Sequence, residues 1–379
     1  MQGDSAAPFY EFFAGGGFAR LGLEPHFRCV YANDRDPAKA RAYRAAFGED
    51  DFHESDINAV RVADLPGRAD LAWASFPCQD LSLAGARAGL NAPRSGAFWG
   101  FHRLMQGLCA EDRAPAILAL ENVSGLLSSH GGADFATLIE ALAKLGYRCG
   151  ALEIDAALFA PQSRPRLFII AARAPKPDLI CAEPEAPFHS SGLRLAVERL
   201  SPEARRAWIW WRLPTPPLRN ANLDDSLEHG NDLAWHEPAQ TERLIAQMSA
   251  LQRARIDAIQ QAGRSAVGAV FRRIRVENGA RVQRAEARFD GVAGCLRTPA
   301  GGSSRQMLLF VTPEGMRSRL MTPREAARLM GAPDHYPLPA GQTAALHLVG
   351  DAVSANVVRW LAENLLAPQL KPQRNQRRA

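Results

Sequence analysis

The chain reads as an α/β protein with a doubly wound, mostly parallel sheet and a second, smaller domain. Three observations carry this reading. Short apolar runs alternate with amphipathic stretches from Pro8 to about Ala172, as strands and helices do in such a sheet. From Arg173 to about Thr312 proline-rich joints and arginine-rich alternating segments replace that pattern, and after Arg319 helical patterning returns.

Taken in order, the first part gives strands at Phe9–Phe13, Phe27–Ala32, Leu71–Ser75, Ile117–Leu120 and Leu167–Ala171. The spacing between them predicts helices over Ala38–Phe47, Phe98–Cys109 and Asp134–Leu145, the last stopped by Gly146. The middle part predicts a helix near Thr241–Ala262 and a hairpin in which Val270–Val276 and Arg281–Phe289 flank Asn278-Gly279, because both of those residues tolerate positive φ. Thr322, Pro323 and Glu325 then open a helix as N-cap, first-turn proline and third-position carboxylate. Val353–Leu366 reads as a strand or helix packing back on the first domain. The expected division is 1–173, 174–312 and a return segment 313–379 that ends in a disordered basic tail from about 371.

Composition bounds the function. With 379 residues, 47% hydrophobic and 22% charged, the chain can bury a large core, which excludes global disorder. Met1 to Pro8 carry no basic segment followed by an apolar run, and nowhere do eighteen apolar residues follow one another. A cytoplasmic protein without membrane attachment is expected. The 6 cysteines form no Cys-x-x-Cys pair, which argues against a disulfide framework and a metal site alike. The net charge of +5 is compatible with a polyanionic partner but is common elsewhere. Its distribution is more telling, with arginines gathered between Arg272 and Arg305 and again, with Lys371, in the tail at Arg374, Arg377 and Arg378.

The first strand runs into Phe13, Ala14, Gly15, Gly16 and Gly17, a turn that lets a ligand approach backbone N–H groups. A tight turn alone explains such glycines equally well. Asp34 ends the next strand, where a carboxylate can accept from ribose hydroxyls, and Asp56-Ile57 follow a third element where an adenine would lie. Together these favour a nucleoside site over isolated caps. The next strand ends in Pro77-Cys78, a thiol at the carboxyl end of a parallel strand, where proline argues against burial in a ladder. Glu121 ends the strand after that and, pushed toward protonation by a dry pocket, can donate to ring nitrogen 3 of a cytosine; the competing reading is a solvated glutamate before a helix cap at Asn122. Arg164 and Arg166, two apart, fall on one side of an extended segment and suit a base carbonyl, a phosphate or Glu121.

In this order the segments resemble those of the cytosine-carbon-5 DNA methyltransferase family, from about Phe9 to Leu366. The resemblance implies a Rossmann-like methyltransferase fold with a target-recognition domain, S-adenosylmethionine as methyl donor, and double-stranded DNA as partner. Cys78 maps to the nucleophile, Glu121 to the base-binding glutamate, and Gln162, Arg164 and Arg166 to the arginine segment. Arg319 to Gly331 is similar to the family's penultimate motif, and Gly350, Asp351, Ala352 and Val353 to the last, which completes the cofactor pocket with Pro77 and the glycine turn. Phe18 stands where the family often has a third glycine, and Asp351 where asparagine is commoner.

The resemblance further implies that Cys78 adds to carbon 6 of a flipped-out cytosine while Glu121 and the two arginines hold the base. Ser82, Arg94 and Ser95 lie in a segment similar to the family's mobile loop. Arg272, Arg273, Arg275, Thr298, Ser303, Ser304 and Arg305 suit phosphate and base-edge contacts. A monomer is expected, paired in function with a restriction endonuclease or acting alone. The competing readings are a tRNA cytosine-5 methyltransferase and a catalytically silent DNA-binding regulator.

Overall fold

The computed structural model describes residues 6–24, 26–77, 96–230, 232–277, 279–299 and 305–370. Strands β1 (Ala7–Phe12), β2 (Phe27–Asp34), β3 (Phe52–Glu54), β4 (Leu71–Ala74), β5 (Ile117–Asn122), β6 (Arg148–Asp155) and β7 (Pro165–Ala172) form one sheet in the order β3-β2-β1-β4-β5-β7-β6. All neighbours are parallel except at β7, which runs antiparallel to β5 and β6. Every residue of β4 and β5 is buried, as strands covered on both faces require. The mostly parallel sheet is the one expected. The three-residue β3 is too short to show a periodicity, and β6, with four consecutive buried residues before it begins to alternate, is likewise not among the expected strands.

Successive side chains of β1 part to opposite faces. Phe12 meets Phe101 of α3 (Gly96–Ala110), with ring centroids 5.4 Å apart. Glu11 points the other way, to α1 (Phe18–Leu23) and α2 (Pro37–Phe47), accepting from the Arg20 N–H and the Tyr43 hydroxyl, each at 3.3 Å. Helix α4 (Ala133–Lys144) buries Phe135, Leu138, Ile139 and Leu142, one apolar stripe at the helical spacing. The chain's last long apolar stretch is helical: Ala355–Leu361 packs on α1 at Gly22, where a Cβ would lie 2.5 Å from that of Val358.

The chain divides into two compact units, one of 1–155, 165–216 and 353–379, the other of 156–164 and 217–352. The expected boundaries at 173 and 312 differ from this division. Proline-rich composition marks irregular backbone rather than a change of body. Cys181 and Ile180 pair with Trp210 and Trp211, and the Trp211 indole donates to Ile170 O of β7 at 2.9 Å, so this stretch belongs with the sheet.

In the second unit four antiparallel strands run in the order Ala280–Arg288, Ala266–Glu277, Met307–Thr312, Gly315–Leu320. The hairpin forms as expected: Glu277 pairs with Ala280, and Gly279 has φ +80. Instead of one helix over Thr241–Ala262 there are two, Pro238–Ala246 and Ala250–Gln261, because Ser249 caps the second by accepting from Gln252 N. Leu244 and Ile256 from them, with Met248 in the link, close the core over Val270, Met307 and Leu309.

Candidate active site

The chain leaves β1 for β2 and β3 and reaches β4 only afterwards, so strand order reverses between β1 and β4. Open α/β sheets bind ligands outside the carboxyl ends of strands at such a reversal. The loop after β1 opens there. Phe13, Gly15 and Gly17 take φ values of 58, 57 and 76. For Phe13 that backbone costs roughly 1–3 kcal/mol, a strain that surrounding bonds must hold. They do: Ala14 N donates to Asn33 O at 2.9 Å, Gly17 N to Ala14 O at 2.8 Å, and Gly15 N to Asp34 Oδ2 at 2.9 Å. Asp34 Oδ1 accepts from Asp36 N, also at 2.9 Å, so this carboxylate braces the loop. The outer glycines differ in what they allow. A Cβ on Gly15 would meet nothing within 4 Å, whereas one on Gly17 would lie 2.3 Å from the Phe47 ring. Gly15 thus faces open space at the strand reversal, and Gly17 is a packing necessity.

Beyond β3, the Asn58 backbone N–H, with Arg35 beside it, holds the half-exposed Asp56 carboxyl below the usual carboxylate range. Ile57 is buried against Gly100 of α3, and Arg103 on the next turn of that helix donates to the carbonyls of Ile57, Asn58 and Val60 at 3.2, 3.3 and 2.8 Å. After β4, Phe76 is buried and Pro77 exposed. Asn122 at the end of β5 donates to Phe76 O at 3.3 Å and accepts from Val123 N at 2.9 Å. It therefore ties down the backbone that leads into Cys78, which itself lies outside the described residues.

Glu121 stands opposite Phe168 of β7, and Arg166, two residues before Phe168, reaches it diagonally with Nε 3.1 Å from Oε1. Their side chains are 10% and 16% exposed. The sheet unit thus gathers Phe13–Gly17, Asp34, Asp56, Ile57, Pro77, Glu121 and Arg166 at the ends of strands.

A family model described as C-5 cytosine-specific DNA methylase matches residues 8–367. The chain belongs to this family. It is similar to type II methyltransferase M.NlaX of Neisseria lactamica, 26% identical over 361 residues that span 94% of this chain and 95% of that protein. Type II methyltransferase M.PspPI of Psychrobacter sp. (strain TA137) is 33% identical, but the match covers 47% of this chain and 42% of that protein. The match to M.BsuFI of Bacillus subtilis, at 34%, covers 38% of that protein. In fold the chain resembles the crystal structure of S. pombe Dnmt2 methyltransferase, with TM-score 0.61 and 17% identity over 97% of this chain and 100% of that one.

In this chain the arginine segment splits. Arg166 lies in β7, but Arg164 precedes it, and the alternation that would place both on one side does not extend beyond the strand. Arg164 is 2% exposed in the second unit, where it donates to Leu296 O at 2.7 Å, Gly350 O at 2.9 Å and Ala352 O at 2.7 Å. Gln162, fully buried, donates to Leu329 O at 3.0 Å in the same unit. Gly350 is glycine because a Cβ would sit 2.6 Å from Thr298 N. Asp351 is exposed, Ala352 half-buried and Val353 buried; the unit boundary runs between the last two.

Of the DNA-contact candidates, Arg273 and Arg275 share one face of the hairpin and both pair with Glu286, at 3.9 Å and, through Arg275 Nε, 3.1 Å. Arg272 takes the other face. Arg305 donates to Thr343 Oγ1 at 2.8 Å. Ser82, Arg94, Ser95, Ser303 and Ser304 lie outside the described residues. Among the described residues no group of three or more His, Cys, Asp or Glu could hold a metal, and no helix is long and apolar enough to cross a membrane.

The sequence reading missed the work of Asn122, which entered there only as a helix cap in the competing reading of Glu121; the available signal was an amide following a glutamate at the end of an apolar run. It also missed the Arg319–Glu325 pair. Both side chains are buried, and Arg319 forks onto Glu325 at 2.8 and 2.6 Å.

Proposed function

We propose that this methylase is a DNA (cytosine-5-)-methyltransferase acting on a cytosine in a short sequence, as part of a restriction-modification pair or alone. One observation carries the reading: in a chain of this family, the Glu121–Arg166 pair sits at the end of β5, beside the strand whose end leads into Pro77-Cys78. The open space over Gly15, with the Asp34 and Asp56 carboxylates at neighbouring strand ends, fits the nucleoside of S-adenosylmethionine, and the last motif's Asp351, Ala352 and Val353 are assigned to its methionine end. That group supplies an electrophilic methyl.

The chain's own residues do the rest. The Cys78 thiolate forms a bond to carbon 6 of the cytosine, and the displaced ring electrons make carbon 5 nucleophilic. Glu121 holds ring nitrogen 3 and its proton, which draws electron density from the ring. Arg166 fixes the Glu121 carboxylate and offsets charge at the base carbonyl, and Arg164 acts as a positioning residue for the last motif. Once carbon 5 carries its methyl, a water or small base takes the carbon 5 proton, the freed C–H electrons restore the double bond, and Cys78 leaves as the thiolate. Attack on carbon 6 needs access to the ring face, so the base must leave the stack. The arginines of the second unit are assigned to phosphates and base edges, and binding should weaken steeply with salt as counterions are released.

Base-resolution bisulfite sequencing of DNA from cells expressing the protein, beside Cys78→Ser, tests this. Protected cytosines in one recurring short sequence, absent in the variant, are expected. Soluble protein that protects no cytosine would overturn the reading.

A further inference from the structure

The strand Ala266–Glu277 pairs with Met307–Thr312 from Ala266 to Val270 and, among the described residues, continues beyond that with Ala280–Arg288 alone. A two-stranded ribbon is marginal by itself. Cross-strand ion pairs stiffen this one: Arg275 Nε donates to Glu286 at 3.1 Å and Arg284 Nε to Glu277 at 2.8 Å. The register puts those four side chains on one face.

The opposite face is different in kind. At its base Val270, Ala285 and Ala287 are buried in the unit's core with Leu244 and Ile256 of the two helices. Farther out the same face presents Ile274 and Val276, which are 55% and 72% exposed. Two β-branched side chains two residues apart on a projecting ribbon make a stripe rather than scattered exposure. Gln283 stands directly opposite Ile274, and Arg281 opposite Val276. Both acids of the ribbon, Glu277 and Glu286, lie on the ion-paired face.

Charge decides what covers the stripe. Between Phe271 and Ala287 stand five arginines and two glutamates, so a second copy of the ribbon is repelled and a polyanion attracted. The major groove of B-DNA, about 12 Å wide, admits a two-stranded ribbon, and the apolar group on its floor is the 5-methyl of thymine. A glutamine amide matches the paired acceptor and donor on the adenine edge. As directly opposed residues, with Cβ atoms about 5 Å apart, Ile274 and Gln283 offer one partner for each half of an A·T pair.

We infer that this face of the ribbon lies in the major groove and reads an A·T pair of the DNA target, with Ile274 on the thymine methyl and Gln283 on the adenine edge. Val276 extends the apolar contact toward the adjoining step. The inference rests on the DNA reading proposed above and assigns discriminating residues within it.

Deoxyuridine lacks only the thymine methyl, so the DNA can be changed before the protein. The full-length protein selects a motif from a random-sequence duplex library. Each thymine of that motif is then replaced by uracil in turn, and affinity is measured by fluorescence anisotropy at one salt concentration. In wild type, and in the exposed helix control Leu251→Ala, one replacement should weaken binding about fourfold, the worth of one buried methyl. Ile274→Ser should bind both duplexes alike. Gln283→Ala should relax the preference for A·T at that position by about tenfold while other positions stay sharp. No thymine in the motif, equal uracil response in wild type and Ile274→Ser, or a wild-type dimer that Ile274→Ser abolishes would each overturn the inference. A uracil-sensitive motif without bisulfite protection would strike the proposed chemistry and leave this assignment standing; bisulfite protection of a motif indifferent to uracil would do the reverse.

Discussion

Replacing Glu325 by alanine should destabilise the second unit more than any surface change in it. The carboxylate receives both Arg319 bonds, at 2.8 and 2.6 Å, and also the backbone N–H groups of Thr322 at 2.8 Å and Glu228 at 2.9 Å. The Arg319 side chain is 1% exposed and cannot turn to water when its partner goes. Breaking such a buried pair from one side costs about 3–5 kcal/mol. The two stranded N–H groups add about 1 kcal/mol each if they stay dry. At roughly 2–4 °C per kcal/mol for a unit of this size, the transition should fall by on the order of 10–30 °C in calorimetry. The double variant Arg319→Met/Glu325→Leu removes both charges and should recover most of that loss, because no uncompensated ion remains. A fall below about 3 °C for Glu325→Ala, or a double variant no better than the single, would show that the pair's burial does not govern the unit's stability.

Three further outcomes are expected. Cys78→Ala should abolish methyl transfer while leaving duplex binding in a mobility-shift assay near wild type; equal loss of both would make the cysteine structural. Gly15→Ala, whose Cβ enters open space at φ +57, should lower stability by only about 1 kcal/mol yet weaken S-adenosylmethionine binding at least tenfold in calorimetry, and unchanged affinity would move the cofactor elsewhere. Burial pushes the Glu11 carboxyl up to about 8 from an ordinary 4.5, against the pull of Arg20, with Tyr43, Cys29 and Glu24 the other titratable groups facing it. Between those values the native state keeps a proton that the unfolded chain has lost. Stability should therefore be fullest below about pH 4.5 and fall by up to about 1.4 kcal/mol per pH unit until about 8. Melting temperatures across that range should show the slope in wild type but not in Glu11→Gln; an equal slope in both would place the proton elsewhere.

The parallel sheet was legible because its strands are buried on both faces and so appear as unbroken apolar runs, as at Ile117 to Leu120. The Thr322 cap was legible because it depends on residues three apart. The sequence places the candidate site at strand ends, and Gly15, Asp34 and Glu121 do lie at the carboxyl ends of β1, β2 and β5. What stayed hidden depends on residues far apart in sequence. Asn122 reaches Phe76, and Arg164 reaches Leu296, Gly350 and Ala352. Two arginines with identical local signatures therefore took different work, Arg166 against Glu121 and Arg164 under a web of carbonyls.

The chain passes between its two units four times, and the nine residues 156–164 belong to the unit that the rest of their neighbourhood does not. The second unit is thus no cassette. A chimaera that transplants 217–352 alone leaves behind Gln162 and Arg164, and with them the bonds to Leu296, Leu329, Gly350 and Ala352. A recipient must already carry a compatible link between β6 and β7, or import it together with the graft. Wholesale exchange of the second unit is then confined to donors that bring both pieces.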